Sequence, residues 1–171
     1  MSVQLGEWRG GDLYIEGLKY NFPKRPPKKE FINYGLPPKQ QLWKRSLEYQ
    51  KYDWSAGWQD RLNDNIEQSN YLVEEITRIL HGVWIFIEGE EVYLNGDTYF
   101  FCSWYLLEEG TYPDFRDSVL YYYRFIEICD LAPLCTGHTL LKARRVGATA
   151  MTLSRLQRQL ITTHDSNFGI V

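Results

Sequence analysis

HTLLKARRVGATAMTLSRLQRQLITTH occupies residues 138–164, and the predicted fold class follows from this stretch. Its opening residues, 138–141, are short, apolar and β-branched, which is typical of a buried strand. Residues 142–147 form a basic loop that ends in glycine. From Thr149 to about His164 the pattern predicts a helix, and the leucines expected to face inward are Leu153, Leu156 and Leu160.

A second apolar run, residues 168–171, predicts another strand after this helix. Strand, loop, helix and strand in this order make a βαβ unit, which normally belongs to a parallel sheet. The sequence therefore predicts an α/β fold in which residues 133–171 start a parallel sheet. We expect the 171 residues to contain only the first unit of that sheet, so that the core is truncated.

Upstream of this unit the composition changes twice. Residues 1–45 are predicted to be a Pro- and Gly-rich basic arm with short strand-like pieces around residues 13–15. Residues 46–132 are predicted to be an aromatic-rich helical region that contains a β-hairpin at residues 83–94. A helix from about Lys39 to residue 53 or 54 joins the two regions.

Three further helices are expected within residues 46–132. The first runs from about residue 61 to residue 80 and stops at Gly82, with an apolar stripe of Leu62, Ile66, Leu72, Ile76 and Ile79. The second begins at the N-cap residue Asn95 and carries Tyr99, Phe100, Trp104 and Leu107. The third spans residues 115–129 after the cap residue Asp114, with Val119, Tyr122, Tyr123 and Ile126 on its apolar side.

Charge is divided along the chain. Between Lys19 and Arg45 there are eight Lys or Arg residues and one Glu, whereas from Ser46 onwards there are ten Lys or Arg and eighteen Asp or Glu. A basic arm of this kind is suited to nucleic acid or to an acidic neighbouring subunit. The alternative is a solvated, proline-rich segment that leads into the folded body.

Composition excludes several classes of protein. No run of residues approaches the roughly 20 apolar residues of a membrane span, and the first residues lack the basic and hydrophobic stretches of a secretory signal. Cys102, Cys129 and Cys135 have no CxxC spacing. We therefore expect buried thiols of a reducing compartment, without a metal site.

The basic loop at residues 142–149 is the stretch that predicts chemistry. A loop between a strand and a helix aims backbone N–H groups and the positive helix end at a ligand above the strand. Gly147 permits a close backbone approach to a phosphate, and Thr149 falls where a hydroxyl can coordinate Mg²⁺. The usual phosphate-loop pattern G-x-x-x-x-G-K-[ST] fails at two positions, because residue 142 is Lys and residue 148 is Ala.

The loop KARRVGAT resembles the variant phosphate loop K-x-x-R-x-G-x-[ST] of large terminase subunits, the ATPases that pump DNA into the capsids of tailed bacteriophages. The upstream stretch WIFIEGEEVYLNGDTYFF at residues 84–101 is also similar to large terminases of phages and prophages of gut bacteria. The resemblance covers roughly residues 83–171. It implies a P-loop NTPase core whose cofactors are ATP and Mg²⁺.

Particular residues are implied by this resemblance. Gly147 and Thr149 match the loop glycine and the hydroxyl on the Mg²⁺ side, while Lys142, Arg144 and Arg145 match the basic positions. The implied phosphate-binding set is Lys142, Arg144, Arg145, Val146, Gly147, Ala148 and Thr149. On the adenine side, Tyr99 is a candidate for stacking and Asn95 or Thr98 for hydrogen bonding, although a plain helix-core role for Tyr99 is at least as compatible with its position.

The resemblance also implies what the whole motor does and where. Its partners are double-stranded viral DNA, the portal and the small terminase subunit, within a ring of identical subunits in the cytoplasm of a bacterial host. In terminases an acidic pair at the end of a later strand completes hydrolysis. No apolar run in this sequence ends in such a pair, so we expect the chain to bind ATP without completing the catalytic site.

Three alternatives stay open from the sequence. The basic loop can be an ordinary turn between strand and helix with surface cations. The chain can be a non-catalytic interaction module that docks DNA or another packaging subunit. It can also be a different P-loop NTPase with a degenerate loop.

Overall fold

The structure of the chain is a computed structural model that describes residues 7–9, 12–15, 18–20, 25–26, 31–32, 47–52, 66–87, 90–132, 135–137 and 147–163. Within these residues, six strands form two three-stranded sheets, and four helices pack around an aromatic core. The coarse α/β class is therefore the one expected from the sequence.

The first sheet is an antiparallel meander in the N-terminal arm. Strand β1 (Glu7–Arg9) pairs with β2 (Asp12–Ile15), and β2 pairs with β3 (Leu18–Tyr20). The register places Trp8 opposite Leu13 and Leu13 opposite Tyr20. The strand-like pieces predicted around residues 13–15 are confirmed by β2.

The second sheet contains the predicted hairpin. Strand β5 (Val83–Ile87) pairs antiparallel with β6 (Glu90–Leu94), with Val83 opposite Leu94. The turn at residues 88–89 lies outside the described residues. Strand β4 (Phe31–Ile32) pairs parallel with β5, so the arm adds a short strand to the edge of the hairpin.

The arm contacts the hairpin at a second point. The guanidinium carbon of Arg25 lies 4.8 Å from the centre of the Tyr93 ring and 6.0 Å from that of Trp84. The indole N–H of Trp84 donates a 3.0 Å hydrogen bond to the carbonyl oxygen of Pro26. A cation over an aromatic face is attracted by the negative charge of the ring face. At least Arg25 of the basic arm is therefore engaged within the fold.

The described residues also contain four longer helices. They are α1 (Ile66–His81), α2 (Gly96–Ser103), α3 (Asp117–Leu131) and α4 (Ala148–Thr162). Helix α1 ends at the predicted glycine, because Gly82 adopts a left-handed φ of 77° and donates its N–H to the carbonyl of Arg78. A Cβ at Gly82 would lie 2.2 Å from the carbonyl oxygen of Leu94, so the start of the hairpin also requires glycine there.

Some helix boundaries differ from the predicted ones. Helix α2 is shorter than expected: the N–H groups of Trp104 and Tyr105 both bond to the carbonyl of Phe100, and Leu107 lies beyond the helix. Helix α3 begins at residue 117, and Asp114 does not cap it, since its carboxylate accepts a hydrogen bond from Arg116 instead. Residues 47–49 are helical and end in a turn, slightly before the predicted end, and the start of that helix lies outside the described residues.

Helix α2 occupies the centre of the core. Seven of its eight residues are buried, and α1, α3 and α4 each contact it. Its aromatic residues Tyr99, Phe100 and Phe101 share one cluster with Tyr123 of α3 and Met151 of α4. The burial of large rings in this cluster is the main source of stability, because each fully buried aromatic ring removes 150–250 Å² from water.

The predicted apolar stripe of α1 is confirmed only in part: Ile79 is buried in the core and Leu72 is half-buried, while Leu62 lies outside the described residues. Ile66 is 73% exposed and Ile76 is 48% exposed, whereas Glu75 and Arg78 are buried. Glu75 and Arg78 form an ion pair of 2.6 Å, and Tyr99 and Trp104 donate hydrogen bonds to the same carboxylate. The inward face of α1 thus carries a polar network, and some of its apolar side chains are exposed to water.

The inward face of α4 also differs from the expected one. Its buried residues are Ala148, Met151 and Ser154, whereas Leu153 and Leu156 are half-buried and Leu160 is 49% exposed. The helix itself is confirmed, from Ala148 to Thr162. The strands predicted at residues 138–141 and 168–171 lie outside the described residues, and the hairpin strands that the structure describes are antiparallel.

Candidate functional site

The end of the basic loop lies at the N-terminus of α4. Gly147 is the N-cap residue, with a left-handed φ of 78° and ψ of 16°. An ideal Cβ at this position would meet no atom of the described residues within 4 Å, so backbone conformation and not crowding favours glycine. Ala148 is buried against the core and Thr149 is exposed. Lys142, Arg144, Arg145 and Val146 lie outside the described residues.

This helix end has free hydrogen-bonding capacity. Within the described part of the chain, no side chain caps the first turn of α4, and the first backbone donor bonded inside the helix is that of Met151, to the carbonyl of Gly147. The preceding N–H groups and the helix dipole together favour an anion at such an end. The exposed hydroxyl of Thr149 lies in the same turn.

Helix α3 holds these first turns of α4 in place. The hydroxyl of Tyr123 donates a 2.8 Å hydrogen bond to the carbonyl of Met151, and the hydroxyls of Tyr122 and Thr152 are 2.9 Å apart. Burial raises the pKa of the Tyr123 hydroxyl well above its ordinary value, so it stays a donor at physiological pH. These contacts therefore fix the position of the start of α4 relative to α3.

Asn95 is confirmed as the cap of α2. Its side-chain oxygen accepts hydrogen bonds from the N–H of Thr98 at 3.0 Å and from the hydroxyl of Thr98 at 2.7 Å. Its amide nitrogen donates to the carbonyl of Tyr123 and to the carboxylate of Glu127, both at 3.3 Å. The capping chemistry predicted from the sequence thus also links α2 to α3.

The other two adenine-side candidates are core residues. Thr98 and Tyr99 are both fully buried, and the Tyr99 hydroxyl donates a 2.6 Å hydrogen bond to Glu75. A ring packed on all sides has no open face on which a base can stack, so the helix-core alternative for Tyr99 is the one that the geometry supports.

Among the described residues, no hydrogen bond joins Asn95 to Gly147, Ala148 or Thr149. Asp97, two residues after Asn95, binds Arg158 near the C-terminal end of α4. Arg158 follows Thr149 by nine residues, which is about 13 Å of helix. The start of α2 therefore contacts α4 through Asp97, at a residue about 13 Å along the helix from Thr149.

A cavity of about 220 Å³ lies beside Asn95. It opens between the end of α1, the start of α2 and the last turns of α3. Leu80, His81, Tyr93, Asn95, Gly96, Asp97, Glu127, Asp130, Leu131 and Arg158 line it. The sequence pattern indicates Asn95 as a candidate ligand contact but not Asp97, Glu127 or Arg158. These three residues are 30, 31 and 61 positions apart, and only the packing of the helices brings them together.

The ionisable groups of this cavity are perturbed by burial. Burial raises the pKa of Glu127 above its ordinary value, and the hydrogen bond from Asn95 and the charges of Arg25 and Arg124 only partly oppose this. Burial likewise raises the pKa of Asp97, against the effect of Arg158 and Arg155. Tyr93 has its pKa raised to about 12, first by burial and then by Glu127.

The described residues form neither a cluster of metal ligands nor a helix of membrane-spanning character. In the described ranges, no three His, Cys, Asp or Glu side chains are placed to hold a metal ion. No described helix is long and apolar enough to cross a bilayer. The thiol of Cys102 is buried, while Cys129 and Cys135 are half-buried, so the expectation of buried thiols holds fully only for Cys102.

Comparison of the chain with family models, with curated proteins and with solved structures finds no match in any of the three.

Proposed function

We propose that this chain is the N-terminal ATPase segment of a phage or prophage large terminase subunit, which binds ATP-Mg²⁺ through residues 142–149. In the complete motor, the ATP bound by this segment powers the translocation of viral DNA into the capsid, in the cytoplasm of a bacterial host. The observation that carries the proposal is Gly147. It is the glycine of the terminase-like motif, and it has a left-handed φ of 78° directly before a helix whose first turn is capped by no side chain of the described residues.

Each residue of the loop has a role in this proposal. The backbone N–H groups of Ala148 and Thr149 are donors for phosphate oxygens, because no described side chain caps them. Lys142, Arg144 and Arg145 supply the positive charge, and Thr149 supplies an exposed hydroxyl for Mg²⁺. The chemistry of these residues supports ATP and Mg²⁺ as the ligands, because backbone N–H groups and cations suit phosphate oxygens and a hydroxyl suits Mg²⁺.

Titration of the full chain with ATP, with and without Mg²⁺, tests the proposal. We expect Gly147→Asp and Thr149→Ala each to weaken Mg²⁺-dependent binding about tenfold or more, through a repelling charge and a lost ligand respectively. Gly110→Asp is the matched control for the first, because Gly110 is also exposed, has a φ of 69° and has open space around it. Thr162→Ala, at the far end of α4, is the control for the second.

Two results would contradict the assignment. The first is Mg²⁺-dependent ATP binding that survives both loop variants unchanged. The second is an equal loss of binding in the loop variants and in their controls, which would point to general destabilisation. We further expect no turnover of the bound ATP, because the sequence contains no apolar strand that ends in Asp-Glu.

The charge of the arm supports a second candidate function, the docking of DNA or of another packaging subunit. Removing residues 1–45 would also remove β4 and the contacts of Arg25, so a loss of DNA binding would not distinguish lost charge from lost structure. Lys28→Gln combined with Lys29→Gln is sharper, because it removes two positive charges and keeps Arg25 and strand β4 in the chain. If both lysines contact phosphates, the slope of log K against log salt for duplex DNA falls by about 2. Salt-independent binding would count against this function.

A further inference from the structure

We propose that the outer face of α1 binds a second copy of this chain, so that the α1 helices of two copies pack antiparallel about a two-fold axis. This face carries four apolar residues, Ile66, Val73, Ile76 and Leu80, which we call the outer row. The axis passes near the middle of the row. The inference does not depend on nucleotide binding, since no residue of the outer row belongs to the loop at residues 142–149.

The outer row lies on the side of α1 that faces away from the core. Its residues follow one another after seven, three and four positions, a spacing that places side chains in one line along a helix. The buried residues Tyr71, Glu75 and Arg78 occupy the opposite side. Between 41% and 73% of each residue of the outer row is exposed. A contiguous apolar patch with a polar border marks an interaction surface more often than scattered apolar residues do.

Polar groups beside the outer row already have partners within α1. The hydroxyl of Thr77 donates a 2.7 Å hydrogen bond to the carbonyl of Val73, so its methyl group adds to the apolar surface. The carboxylate of Glu74 lies 3.6 Å from the guanidinium of Arg78. Covering the row therefore leaves neither group without a partner, which keeps the cost of removing water low.

The end of α4 extends this surface. Arg158 donates hydrogen bonds to the carbonyls of Ile79 and Leu80, and Ile161 follows Arg158 by three residues, on the same side of α4. Ile161 is 62% exposed.

The area of this surface is enough for a weak dimer. Ile161 and the outer row together expose roughly 500 Å² of apolar surface on each copy, estimated from their exposed fractions. Two copies that meet here hide up to about 1,000 Å², which is the lower limit of a specific interface. We therefore expect a reversible dimer with a Kd of roughly 1–100 µM.

Charge complementarity favours a second copy of the same chain as the occupant. Glu67 lies in the first turn of α1 and His81 in the last, on the same flank of the outer row, and both are exposed. An antiparallel copy brings Glu67 of one chain close to His81 of the other, where an imidazole N–H can donate to the carboxylate. It also sets the positive end of each helix dipole beside the negative end of the other. The outer row itself contains no charge that would repel its own copy.

Sedimentation equilibrium of the full chain, at loading concentrations from about 1 to 500 µM, tests the proposal. We expect a reversible equilibrium between monomer and dimer that stops at two copies, because a two-fold interface is closed. A monomeric mass at every concentration would overturn the proposal, since the face would then be covered by another part of the chain or by a different partner. Growth beyond the dimer would overturn it as well.

Val73→Glu tests whether this face forms the interface. The change sets two like charges near each other at the middle of the dimer and should raise the Kd at least tenfold. Leu106→Glu makes the same kind of change at a 52% exposed residue outside the outer row and should leave the Kd unaltered. Circular dichroism checks the folding of both variants; if Val73→Glu is not folded, Ile76→Glu takes its place. An unaltered Kd in the α1 variant, or an equal rise in both variants, would overturn the proposal.

A charge exchange tests the antiparallel orientation. Glu67→Lys removes the attraction to His81 of the other copy and should raise the Kd about threefold or more, since two such contacts form in each dimer. Adding His81→Glu to this variant restores opposite charges and should lower the Kd again. Glu108→Lys, which changes an exposed acidic residue away from α1, should leave the Kd unaltered. A double variant that dimerises as weakly as Glu67→Lys alone would contradict the antiparallel arrangement.

Discussion

The hydroxyl of Tyr99 donates a 2.6 Å hydrogen bond to the carboxylate of Glu75, and both residues are buried. Trp104 donates to the same oxygen at 3.2 Å, and Arg78 pairs with the other oxygen at 2.6 Å. Helix α2 is thereby joined to the inward face of α1 by a carboxylate with three donors. A buried charge is tolerable only when it is satisfied in this way.

Tyr99→Phe should therefore destabilise the protein by about 1.5–3 kcal/mol, because it removes one donor from a buried carboxylate and changes little else. Urea denaturation followed by circular dichroism measures the effect. Tyr121→Phe is the matched control, since Tyr121 is 55% exposed and should change the free energy of unfolding by less than about 0.5 kcal/mol. Equal effects in the two variants would show that the Tyr99 hydroxyl contributes nothing specific.

Gly96→Ala should be among the most damaging single substitutions in the chain. A Cβ at Gly96 would lie 2.1 Å from the carbonyl oxygen of Ile79 and 2.6 Å from the guanidinium of Arg158. Either α2 moves away from the end of α1 or the Arg158 hydrogen bonds break, and we expect a loss of about 2 kcal/mol or more. Gly137→Ala, where a Cβ would meet no described atom, should be nearly neutral in the same urea assay.

Glu127→Gln should reduce the dependence of the free energy of unfolding on pH. Burial raises the pKa of Glu127 in the folded state, so the folded protein binds more protons than the unfolded one between the two pKa values. The free energy of unfolding then falls as pH rises from the unfolded value of about 4.3 through the raised value, and the loss persists above it. The variant should lack this loss and be more stable than the wild type at neutral pH.

Urea midpoints measured across this pH range check the expectation, with Glu108→Gln as the control for simple charge removal. The charged groups that act on Glu127 are Arg25 of the arm, Asp97 of α2 and Arg124 of α3 itself, and neither variant alters any of them. Parallel pH profiles for the wild type and the Glu127 variant would contradict the predicted sign.

The three thiols should differ in reactivity. Burial raises the pKa of Cys102 to about 12, and its side chain is 1% exposed, so a disulfide reagent at pH 8 should reach it only on unfolding. Cys129 and Cys135 are half-buried and should react in the native protein, Cys129 slowly because its pKa is raised to about 11. Fast labelling of a thiol in the Cys129→Ser, Cys135→Ser double variant would contradict the burial of Cys102.

Local patterns predicted the parts of the fold in which neighbouring residues determine conformation. The stop of α1 at Gly82, the hairpin at residues 83–94 and the cap at Asn95 all depend on residues within a few positions of each other. Helix α4 was also predicted, from the helical spacing of its leucines and from Gly147 at the end of the preceding loop.

Contacts between distant residues were not predictable in this way. The spacing of apolar residues predicted that Ile66 and Ile76 lie on the inward face of α1, but both are exposed. Glu75 is buried there instead, because Tyr99 and Trp104, 24 and 29 residues later, donate hydrogen bonds to its carboxylate. The same holds for the cavity, where the amide of Asn95 donates a hydrogen bond to Glu127, 32 residues later in the sequence. A pattern within one helix contains no information about such partners.

Arg158 has a consequence for how the protein is made. It satisfies the carbonyls of Ile79 and Leu80 at the end of α1, although it lies 79 and 78 residues further along the chain. At 5–20 residues per second, a ribosome needs about 4–16 s to reach Arg158 after these carbonyls are made. During that interval these two carbonyl groups must accept hydrogen bonds from water instead. The four helices can therefore pack fully against one another only after α4 has been synthesised.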